Sequence, residues 1–189
     1  NSLQVDETNF VAGAVSVTDA NFGTSALSIN YGTDGAAAVT ANTPVVYSLS
    51  TTLGASGLID TATGQAVNLA IDSNGDVIGV VGSSTDVAFR IHVDADTGAV
   101  TLTQNRPLNH LSDGSTAATD YDDVLTLASG AVTLTATATD KDGDSNSNST
   151  NVGDKFSFKD DAPTITPTNT ANSLQVDETN FVAGAVSVT

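Results

Sequence analysis

Carboxylates carry most of the chemistry this chain can offer. Asp140-Lys141-Asp142-Gly143-Asp144 follows a strand-like run, Asp160-Asp161 stands directly before Ala162-Pro163, and Asp6-Glu7 with Asp19 and Asn21 lie near the start. Ca2+ takes six to eight oxygens from carboxylates, amides and backbone carbonyls, so acids gathered near both limits of one unit suit a hard divalent cation. A solvated turn is the other reading of each cluster. Two further groups, Asp72-Ser73-Asn74-Gly75-Asp76 and Asp94-Ala95-Asp96-Thr97-Gly98, read first as hairpin turns, because Asp, Asn and Gly are what such turns require. The Asp140 segment opens like an EF-hand loop but departs from it where Gly and a bidentate Glu belong, since Ser145 and Asn151 stand there.

Nucleophilic and redox chemistry find little support. The chain has two His and no Cys, and it contains no Gly-x-Ser-x-Gly elbow, no His-Glu-x-x-His pair and no Gly-rich phosphate loop. His92 alternates with Ile91 and Val93 and is expected on the surface of a strand; His110 is expected in a loop, held by a structural hydrogen bond. The expectation is a protein without catalytic activity.

The elements that must position the acids are strands. Pro44–Ser50, Val67–Ile71, Val77–Val81, Val87–Val93, Ala99–Leu102, Val124–Leu127 and Ala131–Thr139, with Ala12–Thr18 before them, are short, rich in Val, Ile, Leu and Thr, and often alternate apolar with polar. No helix is convincing. The fold class is therefore an all-β, antiparallel sandwich of the immunoglobulin-like kind with long insertions, read at Phe22–Thr43 and Thr51–Gln65 as loops or added edge hairpins. Thr133, Thr135, Thr137 and Thr139 share one strand face, which is read as a solvent face and not as a water-ordering array.

Charge narrows the partners. With 22 acidic against 5 basic residues, a net charge of −17 and an isoelectric point near 4.1, the chain should repel nucleic acid and anionic membrane surfaces and attract cations. No apolar run approaches the roughly 20 residues of a membrane helix. Lacking Cys, it has neither disulfides nor thiolate metal sites, and lacking Met it is expected to be a segment of a longer protein.

Residues 1–18 return letter for letter as residues 172–189, an offset of 172 − 1 = 171. An identity of that length marks a tandem array, with one module at 1–161, a linker at 162–171 that holds Pro163 and Pro167, and the first strand of the next module at 172–189. Near-perfect copying is expected of units that build length, each contacting its neighbours along the array. Val176, Phe181, Val186 and Val188 of that last strand would otherwise face water, so the strand is expected to pack on a neighbouring molecule, in an end-to-end contact made by edge pairing or strand donation.

Segments Val15–Asn21, Val46–Leu49, Phe89–Thr101 and Val132–Asp144 follow the order of segments in cadherin-like domains. The full period resembles more closely the long repeats of giant RTX adhesins of Gram-negative bacteria. The resemblance rests on Val5-Asp6-Glu7-Thr8, Tyr31-Gly32-Thr33-Asp34-Gly35, Ser56-Gly57-Leu58, Pro107-Leu108-Asn109-His110, Thr139 through Asp144 and Asp160-Asp161-Ala162-Pro163, in that order. It implies type I secretion, display at the bacterial cell surface in adhesion and biofilm formation, and Ca2+ that stiffens the chain of modules. By the same resemblance Asp6 or Glu7 with Asp160 and Asp161 would face Asp19, Asn21 and Asp140 of the following module across a junction, with Asp142 and Asp144 beside them. Where cadherins carry Leu-Asp-Arg-Glu, this chain has Leu108-Asn109-His110-Leu111, which supplies no carboxylate, so about one or two ions per junction are expected. A ligand-binding adhesin domain is the competing reading; aromatic residues at 5% of the chain, with no Trp, disfavour a sugar-stacking surface.

Overall fold

The computed structural model describes residues 1–10, 13–38, 44–110, 123–161 and 165–167. The expected strand at 172–189 and its packing, and most of the expected linker, lie outside the described residues.

Within them the chain forms β1 (Leu3–Asp6), β2 (Val15–Asp19), α1 (Phe22–Ala26), β3 (Val45–Thr51), β4 (Gly54–Ile59), β5 (Ala66–Ile71), β6 (Val77–Val81), β7 (Val87–Val93), β8 (Val100–Gln104), β9 (Val124–Thr126), β10 (Val132–Thr139), β11 (Ser145–Asn151) and β12 (Phe156–Lys159). Strands β2-β8-β7-β6-β5-β4 make one antiparallel sheet, facing two three-stranded sheets, β11-β10-β3 and β1-β12-β9. This is an all-β sandwich. Alternation writes the core: Val45, Tyr47 and Leu49 of β3 and Val132, Leu134 and Ala136 of β10 are buried while the residues between them look outward. Phe89 of β7 and Phe158 of β12 close the two layers on each other with ring centroids 5.1 Å apart, and Phe22 of α1 stacks on Phe156 at 5.6 Å.

A bulge interrupts the alternation between β6 and β7. The register between β6 and β7 shifts at Gly79–Val80, so Ala88 and Phe89, adjacent in sequence, are both fully buried. Gly79 is what admits the ring: a Cβ there would stand 2.2 Å from Phe89 Cε1.

Two 3-10 turns, Ser129–Ala131 and Gly153–Lys155, join β9 to β10 and β11 to β12. The two smaller sheets are thereby threaded by one long ribbon, with Val124 opposite Lys159 at one extremity and Thr139 opposite Ser145 at the other. Sixteen residues of extended chain reach about 50 Å at most. Beside the ribbon β1 runs parallel to β12, Leu3 next to Phe156 and Asp6 next to Lys159. The first and last strands among the described residues, β1 and β12, therefore point the same way. The Leu3 side of this pair is called the leading end below and the Lys159 side the trailing end.

The expected turns at Asp72–Asp76 and Asp94–Gly98 connect β5 to β6 and β7 to β8. The Gly-rich insertion at Thr51–Gln65 contains β4, an edge strand in a hairpin with β5, and the insertion from Phe22 opens with the single turn of α1. No described helix is long and apolar enough to cross a membrane.

Candidate metal centre

Parallel pairing of β1 with β12 sets the trailing end, because the residues that follow the paired Asp6 and Lys159 are Glu7 and Asp160. A third segment, Asn105–His110, is drawn to the same place. Asn109 N donates to Ile59 O at 2.8 Å and Thr61 N to Pro107 O at 3.1 Å, which ties the segment to the β4–β5 hairpin. Arg106 fastens it further: Nε reaches Asp60 Oδ1 at 2.7 Å and Nη2 reaches Oδ2 at 3.0 Å, while Thr63 donates to Asp60 Oδ2 from its amide and its hydroxyl. Asp60 is fully buried, and the Arg106 guanidinium, then Thr63, hold its carboxyl below the usual range against the opposing effect of burial.

Glu7, at 6% exposed, is buried in this corner; its Oε1 accepts from Gln104 Nε2 at 2.5 Å and from Leu108 N at 2.9 Å. His110 Nε2 lies 3.5 Å from the same oxygen, and His110 is only 5% exposed. Among the described residues neither ring nitrogen of His110 has a hydrogen-bond partner. The structural hydrogen bond expected of this residue is not formed among the described residues, the approach to Glu7 Oε1 being too long for one. One ligand atom each from Glu7, His110 and Asp160 lie within 4.8 Å of one another. They line a cavity of about 200 Å³ with Thr61, Pro107 and Asp161. Burial, more than any neighbour, raises the Asp160 carboxyl above its ordinary range. Asp6 stands outside this group. Its Oδ1 accepts from Thr8 N at 2.9 Å, its Oδ2 is 3.5 Å from Lys159 Nζ, and its carboxyl is held low chiefly by Thr8.

A second group forms at the far extremity of the ribbon. Ala37 N donates to Thr139 O at 3.1 Å and Lys141 N to Gly35 O at 3.0 Å, which brings Asp34 to Asp140 and Asp142, again with ligand atoms within 4.8 Å. Asp140 shapes its own turn by accepting from Asp144 N at 2.9 Å. The hydrogen bond between the carboxyls of Asp140 and Asp142 lowers the first and raises the second. Asp142 and Asp144 are exposed, as is Asp34.

Asp19 and Asn21 belong to neither group. Asp19 ends β2 opposite Val100, whereas Gln104, which touches Glu7, is opposite Val15; four residues of strand put about 13 Å between the two positions. Asn21 N donates to Asp19 Oδ1 at 2.8 Å, and Asn21 precedes α1 without a side-chain cap. The two hairpin groups are occupied by their own turns and neighbours. Arg90 pairs with Asp72 and Asp76, half-exposed His92 bonds to Asp76 at 2.7 Å, and Asp94 accepts from Thr97.

Thus the nine residues singled out by sequence divide into Glu7 with Asp160, Asp140 with Asp142, and five that stand outside both groups: Asp6, Asp19, Asn21, Asp144 and Asp161. Sequence reasoning missed His110 and Asp34 as partners. Both stand in segments quoted for the resemblance, Pro107–His110 and Tyr31–Gly35, but what joins them to acids more than a hundred residues away is strand pairing, which a linear reading does not give.

The family model described as a domain of unknown function (DUF5801) matches residues 2–153. No curated protein and no solved structure matches the chain.

Proposed function

The chain belongs to the DUF5801 family of domains of unknown function, and from there we propose that it is a non-catalytic extender module of a large repetitive bacterial surface adhesin, exported by a type I system and stiffened at its junctions by Ca2+. The observation that carries this reading is the parallel pairing of β1 with β12 in a sequence that repeats at 171 residues. A module whose first and last strands point the same way takes the chain in at one end and passes it out at the other, so each copy adds its length.

The acids sit where such stacking needs a cation. Asp160, Asp161 and Asp6 cluster at the trailing end. The Asp34–Asp140–Asp142 turn lies at the opposite extremity of the ribbon, and Asp19 and Asn21 at the opposite end of β2. End-to-end stacking turns the trailing acids of one copy toward the leading acids of the next, where Ca2+ shared between them replaces repulsion with a bond. The described aromatics argue against a sugar-stacking face: Phe22, Tyr47, Phe89, Phe156 and Phe158 are buried and Phe10 and Tyr31 partly so.

Ca2+ that binds the folded module and not the unfolded chain raises its stability by about 1.4 kcal/mol at ten times the dissociation constant, which is about 3–6 °C in melting temperature. With affinities of order 10⁻⁴ to 10⁻³ M, about 10 mM Ca2+ is enough. Melting curves in chelator and in Ca2+ measure this, and coincident midpoints would remove the Ca2+ part of the reading.

A further inference from the structure

We propose that Glu7, His110 and Asp160 form a site for a divalent cation of the borderline class, Zn2+ foremost, ligated by one imidazole nitrogen and two carboxylates. It goes beyond the extender reading and does not rest on tandem stacking, because all three ligands belong to one module.

The argument begins with His110. His110 is buried, and among the described residues neither of its nitrogens has a hydrogen-bond partner, so both are left for a ligand. Its Nε2 faces a buried carboxylate at 3.5 Å, and a second carboxylate completes a triangle of ligand atoms, all within 4.8 Å of one another. Tetrahedral Zn2+ with ligands at about 2.0–2.2 Å holds its donor atoms about 3.3–3.6 Å apart. The His110–Glu7 edge is already at that length, and small side-chain rotations bring in Asp160. The cavity of about 200 Å³ leaves room for a water, or for exposed Asp161, as the fourth ligand.

Donor type selects the metal. Ca2+ and Mg2+ call for oxygen alone, whereas imidazole nitrogen with carboxylate suits Zn2+ and its first-row neighbours. The Asp34–Asp140–Asp142 group, all oxygen and far more exposed, is the contrasting case within the same molecule. The consequence of binding is mechanical: one ion ties the end of β1, the Asn105–His110 segment and the exit of β12 together.

The chain has two His, which makes the site directly observable. Imidazole nitrogen NMR of the 189-residue protein, stripped with chelator and titrated with Zn2+, should shift the His110 resonances at one equivalent. The His92→Ala variant should behave identically. Competition against a chromophoric chelator should show that Glu7→Gln and His110→Gln each weaken Zn2+ binding by about a hundredfold, with Ca2+ at equal concentration unable to displace the ion. Because the NMR signal comes from the unaltered site, failure of a variant to fold leaves the test standing. A shift confined to His92, no shift of His110 at stoichiometric Zn2+, or displacement of Zn2+ by equimolar Ca2+ would each overturn the proposal. Asp160 is common to this site and to the Ca2+ reading, but Zn2+ is tested on the single module and Ca2+ on the extension of metal-free tandem copies, so the two readings fail separately.

Discussion

Arg106 and Gly98 show how single residues hold the ends of this molecule in shape. Asp60 is fully buried and bonded by Arg106 and Thr63, so its folded carboxyl titrates below its unfolded value near 3.9. A depressed carboxyl contributes stability that is complete above the unfolded value and is lost as pH falls through the folded one. Arg106→Ala should therefore be less stable than the parent at pH 7, and the gap should be smaller at about pH 3, below the unfolded value, where the stability contributed by the depressed Asp60 carboxyl is declining. Urea melts at the two pH values measure it; a gap independent of pH would mean that the ion pair does not act this way. Gly98 has φ of +74°, and a Cβ there would meet the Tyr47 ring at 2.8 Å. Gly98→Ala should cost about 1–3 kcal/mol in the same melts, from backbone strain and the displaced ring together.

Strand β11 carries the lesson at the level of elements. Its sequence, Ser145–Asn151, has no apolar alternation and no β-branched run to mark a strand, whereas the Val, Ile and Phe of β6 and β7 mark both to the residue. What makes β11 a strand is its partner. Thr135, Thr137 and Thr139 of β10 bond to Ser149, Ser147 and Ser145 across the pair at 2.8–3.0 Å, a hydroxyl ladder on the solvent face. Being an edge, β11 also needs protection from other chains. Asn146 Oδ1 accepts from Ser147 N at 2.9 Å and Asn148 Oδ1 from Ser149 N at 2.8 Å, so side chains occupy backbone donors that a foreign strand would use. Replacing both Asn with Ser should leave the melting temperature within about 2 °C and raise self-association, read by light scattering of concentrated protein. Unchanged scattering would show the edge to be guarded by charge alone. The same contrast explains the site: Glu7 and Asp160 were legible as acids near module limits, whereas His110 joins them only through the β1–β12 pairing and the Asp60–Arg106 clasp, contacts between segments distant in sequence.

At the scale of the whole molecule, the sandwich works as a directed unit. The ribbon from β9 to β12 has a group of acids near each of its extremities, and the first described strand runs parallel to the last described one. A net charge of −17 per 189 residues makes an array of such units self-repelling, and that repulsion is strongest where trailing and leading acids approach. Cations at those points are what the extender reading requires, and cations are screened or removed at will in solution. The most direct measurement is small-angle X-ray scattering on three or four tandem copies, first in chelator and then in millimolar Ca2+. The account predicts a flexible particle that becomes a rod, its maximum dimension growing by roughly 50 Å for each added copy; dimensions that do not respond to Ca2+, or that fail to grow with copy number, would contradict it.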